Sequence, residues 1–311
     1  MAPLVASRVL TGLLTVLAAS IIIFAVIQIL PGDAATATLQ QEASNKTALA
    51  ALRHQYGLDQ PATTRYVKWV EHAVQGNFGV APASGVPVTS LIRTPLRNTA
   101  LLLVVTLVLM FPLAVAIGTL SALRRQSLID SGLQTIVLVF ASLPSFAVGI
   151  ALILIFAFIL KVLPAVSLTV SARSLVLPVA TLVLGWVPLT ARMVRAGVVR
   201  VLDSDFVQMA RLNGIPERQV VSKHVLPNAL TPAIQAFALT AASMPAGIVI
   251  VEFLFSFQGI GYTLVQAVEN RDTATVEAIT MILVVVYVVA NLLSDIATVM
   301  LTPRLRTQVT D

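Results

Sequence analysis

Cysteine is absent from the sequence. That excludes disulfides, thiolate metal sites, iron–sulfur clusters and cysteine nucleophiles. Charge is scarce as well: Asp, Glu, Lys and Arg make up 11% of the 311 residues, against about 25% in an average soluble domain. So few water-facing side chains could not enclose a chain that is 57% hydrophobic, whereas lipid solvates apolar surface directly. The mean hydropathy of +0.92 points the same way. Histidine is limited to His54, His72 and His224. Glu71 precedes His72, but no second His follows to complete a His-Glu-x-x-His zinc motif. No metal or other cofactor is expected. A phosphate-binding loop of the form Gly-x-x-x-x-Gly-Lys-Ser/Thr is also missing. Lys46 is the one Lys followed by Ser or Thr, and Gln40 and Asn45 stand where the glycines belong.

What the chain does have is long apolar runs. A bilayer crossing needs roughly 20 residues for about 30 Å of hydrocarbon, and about six runs qualify. The first is Val9 to Leu30, ended by Pro31-Gly32-Asp33; Ala35-Thr36-Ala37 resembles a cleavage site, but the run exceeds a signal core of about 7–15 residues, so an uncleaved anchor is expected. The second lies between Arg97 and Arg124, with Pro112 inside. The third lies between Asp130 and Lys161, where Pro144 implies a kink or tilt. The fourth runs from about Ser174 to Ala191 with Pro178 and Pro188, the fifth from about Pro232 to Val251, the sixth from about Ala278 to Leu301. The fold class expected is therefore an all-α membrane protein. It divides into 1–32 (N-terminus and first span), 33–97 (an extracytoplasmic region with a helix from Pro61 towards Ala73) and 98–311 (spans two to six), with a cytoplasmic loop at about 196–231.

Net charge is +6. The basic residues sit between apolar runs rather than in one block with interleaved aromatics, which fits membrane orientation and not nucleic-acid binding. With the N-terminus inside, the inner segments hold Arg8, Arg124, Arg125, Arg192, Arg195, Arg200, Arg211, Arg218, Lys223, Arg304 and Arg306. The two short outer loops hold Lys161, Arg173 and Arg271. Both termini are thus expected in the cytoplasm.

The stretch Asp203 to Asn228 is too long for a turn between spans. Asp203, Ser204 and Asp205 offer N-cap oxygens to a helix through Asn213. Gly214 stands where a left-handed C′ residue belongs. Pro216 opens a second helix with Glu217 near its positive end, and Leu226-Pro227 should stop that helix before the membrane. Ala210, one turn before the break, is small enough to let the first helix approach a partner closely.

This cassette resembles the EAA loop of ABC importer permeases: Glu-Ala-Ala, three residues, Gly, nine residues, Ile, one residue, Leu-Pro. Gly214 to Leu226-Pro227 has that spacing, while Gln208-Met209-Ala210 replaces the triplet and His224 takes the Ile position. Further along, the chain resembles the dipeptide/oligopeptide/nickel branch of these permeases, the subunit with a large loop after span one. The matching pieces include Gly57-Leu58-Asp59-Gln60-Pro61, Gly76-Asn77-Phe78-Gly79, Leu143-Pro144-Ser145-Phe146, Glu252 with Phe255, Gly259-Ile260-Gly261, and Pro303-Arg304-Leu305-Arg306. Ala34, Gln258 and Thr302 depart from the pattern.

The resemblance implies a type I ABC importer permease fold in the bacterial inner membrane. It implies a second permease subunit, two ATP-binding subunits and an extracytoplasmic substrate-binding protein as partners. The cassette (Asp205, Gln208, Ala210, Arg211, Gly214, Glu217, Leu226, Pro227) would dock on the ATPase. A di- or oligopeptide is the implied substrate, with nickel or glutathione as alternatives. Glu252 reads either as a gate or binding-protein contact or as a helix-end carboxylate meeting water. Asp295 reads as an anchor that faces protein or pairs with a cytoplasmic-side Arg. An intramembrane enzyme would need paired catalytic groups on facing spans, and the spans hold neither His nor Lys. A secondary transporter would leave the cassette unexplained.

Overall fold

The computed structural model describes residues 2–29, 46–55, 58–82 and 84–301. Pro31-Gly32-Asp33, Ala34 to Ala37, Gly57, and Thr302 to Arg306 lie outside the described residues. Among the described residues every regular element is a helix; α1 is Ala2–Ile29, α2 Lys46–Gln55, α3 Ala62–Val74 and α4 Val88–Leu123. Then come α5 Leu128–Ser142, α6 Ser145–Leu152 with a π-helical extension Ile153–Ile159, and α7 Ala172–Leu202. The cassette holds α8 Asp205–Leu212 and α9 Glu217–Gln219, the latter followed by a π-helical turn Val220–Val225; α10 Leu226–Leu254, α11 Ile260–Glu269 and α12 Thr273–Leu301 complete the chain.

Four of these helices are long and apolar enough to cross a membrane, and six spans result if each of two bent pairs counts as one. The chain is an all-α membrane protein. Of the four long spans, α7 is the most enclosed. Its Leu177, Leu182, Val183 and Val187 pack in one apolar cluster with Leu102 and Met110 of α4 and Met244, Ile248 and Val251 of α10. A second cluster lies at the cassette, and a third joins Val88 and Ile92 of α4 to Ile260 of α11 and Ile279 of α12.

Prolines act differently according to what precedes them. Pro112, Pro178 and Pro188 sit inside unbroken helices. At Pro144 the helix breaks: Leu143 is extended (φ −89°, ψ 133°), as the residue before proline prefers, and α5 and α6 meet at 106°. The third expected span is therefore two helices, not one kinked helix. The second span also begins earlier than its charges suggested. Pro87 sets an extended N-cap, and α4 runs from Val88 straight through Arg93 and Arg97, because isolated Arg residues interrupt hydropathy but not helix geometry. The expected boundary at 97/98 falls inside this helix.

Leu226-Pro227 does not end a helix. The chain is helical from Glu217 to Leu254 without a gap. Pro227 lacks an N–H and its ring crowds the carbonyl four residues back. The wider π turn over Val220–Val225, directly before it, loosens the backbone at that place. The axis bends by 47° further on, between the segments Glu217–Thr231 and Ala233–Pro245.

Close packing against α7 depends on glycine where α4 crosses it. A Cβ on Gly118 of α4 would lie 2.5 Å from the Ala191 carbonyl oxygen and 2.6 Å from Val194 Cβ, both on α7. Gly132 of α5 meets nothing within 4 Å. Gly118→Leu is expected to lower thermal stability of the purified protein by about 1–3 kcal/mol through overpacking. Gly132→Ala should leave it equal or raise it by up to about 1 kcal/mol through helix propensity. Melting curves in detergent measure both.

Candidate functional site

The cassette after α7 folds as helix, break, helix. Asp203 ends α7 and Ser204 is the N-cap of α8, yet neither gives α8 a side-chain cap. Ser204 Oγ donates instead to the Val201 carbonyl, and Asp203 pairs with Arg125 at 2.8 Å. Two of the three N-cap groups read from the sequence, Asp203 and Ser204, are thus used to close α7 and tie it to the turn after α4. At the other end, Gly214 is left-handed (φ +73°). Its N–H donates to Arg211 O at 3.0 Å, and Ile215 N–H donates to Ala210 O at 3.2 Å. These two bonds form a Schellman ending. Pro216 is the extended N-cap of α9 rather than its first helical residue.

Arg211 closes the break. Its Nη2 and Nε donate to Glu217 Oε1 and Oε2 at 2.6 and 3.1 Å, a two-pronged contact across Gly214. The Arg211 hydrogen bond holds the Glu217 carboxyl below the ordinary glutamate range and the Arg211 guanidinium above its own. Both side chains are exposed, so the pair adds little stability; its geometry fixes the angle between α8 and α9.

The facing of α8 differs from what Ala210 suggested. Ala210 is 7% exposed and packs with Val207 against Val194 and Val198 of α7, Val220 and Val225 of the π turn, Ala229 of α10 and Ala122 of α4. Its small side chain therefore serves contact within this chain. The opposite face carries Phe206, Met209 and Leu212, which are 48%, 58% and 82% exposed. Gln208 and Asp205 are exposed as well, as are Gly214 and Pro227, while Leu226 is half-buried in the cassette core. Sequence reading missed the three exposed residues. Their spacing of three was the available signal, but the apolar residues of α8 cover too much of the helix to show which side faces in.

A second tie binds the same helix ends. Asp130, at the start of α5, accepts from Arg195 Nη2 at 2.7 Å and Nε at 2.9 Å, from Ser121 Oγ at 2.5 Å and from the Gln126 N–H at 3.2 Å. Gln134 donates to the same Ser121 at 2.8 Å. The carboxyl is buried and fully matched by donors, so α4, α5 and α7 are joined at the level of the cassette.

Glu252 and Asp295 lie apart from the cassette and from each other. Asp295 is 3.3 Å from Arg8 of α1. Glu252, on α10, is fully buried, which rules out one of its two readings, that of a helix-end carboxylate meeting water. Thr99 Oγ1 donates to it at 2.6 Å, and the N–H groups of Gly261 and Tyr262 at 2.7 and 3.3 Å. Among the described residues no group of His, Cys, Asp or Glu could hold a metal ion.

The profile described as "Binding-protein-dependent transport system inner membrane component" matches residues 114–307, and "Binding-prot-dependent transport system membrane comp, N-term" matches residues 1–118. The oligopeptide transport system permease protein of Bacillus subtilis is 31% identical, over 98% of this chain and 99% of its own length. The glutathione transport system permease protein of Salmonella paratyphi A is also 31% identical, over 97% and 98%. The metal-staphylopine import system permease protein of Staphylococcus aureus is 30% identical over 83% and 82%. With both profiles and full-length relatives at this identity, the chain belongs to the family of binding-protein-dependent transport system inner membrane components, the permease subunits of ABC importers.

Proposed function

We propose that this chain forms half of the translocation path of a di- or oligopeptide importer and takes its energy from ATPases bound at the cassette. The observation that carries this is the two-sided build of α8. Its inner face belongs to the same cluster as the ends of α4, α7 and α10, and its outer face holds three apolar side chains that the described residues leave exposed. A cytoplasmic ATPase that seats Phe206, Met209 and Leu212 would move those helix ends together with α8. The chain has no phosphate-binding loop of its own, so nucleotide chemistry falls to the partner.

Orientation follows from loop charge, with both termini inside. The Arg125–Asp203 and Arg195–Asp130 pairs support this by gathering at one end the helix termini that the charge bias assigns to the cytoplasm. Because cysteine is absent, single Cys substitutions report without background. Ser84→Cys and Asn270→Cys are expected to react with an impermeant thiol reagent from outside, and Leu128→Cys only after permeabilisation. Labelling at position 128 in intact cells would overturn the topology.

Peptide is favoured as substrate by the oligopeptide relative. Mass spectrometry of the ligand carried by the co-purified binding protein should find a di- or oligopeptide; nickel or glutathione there would replace it.

The cassette is tested in the reconstituted complex. Met209→Asp and Leu212→Asp should leave membrane levels near normal but weaken ATPase docking by about 30-fold, the loss of an interface anchor worth ~2 kcal/mol. Gly214→Val should cost about 1–2 kcal/mol locally, redirect α9, and uncouple uptake from ATP hydrolysis. Ala210→Asp should instead lower the amount of folded chain, because it buries a charge in this chain's own core. Full uptake with Leu212→Asp and Gly214→Val would remove the cassette from the mechanism.

A further inference from the structure

The cassette has a counterpart at the opposite end of α10. Glu252 lies two residues before that helix ends at Leu254, and its carboxyl is the centre of a polar cluster inside apolar surroundings. One oxygen accepts from Thr99 Oγ1 of α4, and Thr99 Oγ1 in turn accepts from the Ile260 N–H at 2.8 Å. The other oxygen accepts from the first N–H groups of α11, at Gly261 and Tyr262. Alongside, Asn98 Nδ2 donates to the Gln258 carbonyl at 2.7 Å, and Ser167 N–H to the Phe255 carbonyl at 2.8 Å. A Cβ on Gly259 would overlap the Glu252 carboxyl, so the turn closes directly upon it. Phe255 and Phe257 of the turn are fully buried.

The acidic cap at Asp272 is local. Asp272 accepts from Thr275 N–H and Oγ1, three residues ahead in its own helix. Glu252 differs because it joins a helix start later in the chain to a helix about 150 residues earlier, at no exposure. The far end of α11, Val268 to Arg271, is exposed, and the direction in which it points is set at its buried start.

We propose that the Glu252 carboxyl is a positioning group: it fixes the start of α11 on α4 and α10, so that the outer face of the permease meets the substrate-binding protein in one orientation. This rests on the importer reading above. The group acts as an acceptor and neither touches substrate nor moves a proton. Gln can therefore replace it, with its amide oxygen toward the Gly261 and Tyr262 N–H groups and its NH₂ donating to Thr99 Oγ1. Ala cannot.

The test uses the complete complex in lipid nanodiscs, with ATPase activity followed against binding-protein concentration. Amide exchange at 260–262 is measured on the same samples. For Glu252→Ala, the half-saturating concentration should rise about tenfold, as expected for stranding buried donors, with the maximal rate within about twofold of the parent. Exchange at Gly261 and Tyr262 should accelerate by about tenfold or more. Glu252→Gln should restore both readings to near the parent's. If Glu252→Ala does not accumulate, Thr99→Val and Thr99→Ser take its place, with Val raising the half-saturating concentration and Ser restoring it. Glu252→Gln as defective as Glu252→Ala would overturn the proposal, since charge and not acceptance would then matter. So would an unchanged half-saturating concentration in Glu252→Ala or, in the fallback pair, in Thr99→Val. A parent complex that no binding protein stimulates would sink the importer reading instead, while the exchange rates still decide whether Glu252 positions α11.

Discussion

Each peptide N–H and C=O that lies in hydrocarbon needs a partner from the chain itself, since lipid supplies none. Helices meet this demand along their length but leave unpaired groups at their ends, and the architecture is shaped by how those ends are closed. Ser171 and Ser174 form a capping box at the start of α7. Asp272 closes the start of α12, the Schellman bonds close α8, and Glu252 closes α11. The same demand explains why Pro227 is met by a π turn and not by a break: a gap there would leave several carbonyls without donors at the membrane edge.

Much of this was legible in the sequence, and for identifiable reasons. Apolar runs of span length gave the helices, because lipid imposes both composition and length. Gly214 gave the break in the cassette, because a left-handed residue at a helix end has few other solutions. What the sequence hid were features set by neighbours. Arg93 and Arg97 made the first turns of α4 look like loop, since hydropathy registers charge and not hydrogen bonding. Leu226-Pro227 looked like a stop because the π turn that accommodates Pro227 leaves no compositional trace. Glu252 could be read either as a gate or contact residue or as a carboxylate meeting water, because its partners, Thr99 and the N–H groups of Gly261 and Tyr262, are distant in sequence or carried by the backbone. The inward side of α8 became distinguishable only once Val220 and Val225 were seen to cover it.

The two ends of the molecule are built on opposite plans. At the cassette end, ion pairs and an apolar cluster bind α4, α5, α7, α8 and α10 into one block, with one apolar face of α8 exposed. At the opposite end, a buried carboxyl collects α4, α10 and α11, and the exposed end of α11 is mostly polar. An apolar face suits a partner that stays bound, and a polar one suits a partner that comes and goes.

The 47° bend in α10 gives this arrangement a mechanical meaning. From Ala233 to Leu254 the helix forms an arm of about 33 Å, at 1.5 Å per residue. Turning that arm by about 5° around the bend would carry its tip through about 3 Å, close to one hydrogen-bond length. A rotation small enough to be absorbed by side-chain adjustment near residue 232 would thus be large enough to remake or dissolve contacts at the far surface. In such a rotation α10 would work as a crank, with its pivot near the cassette and its far end beside Glu252.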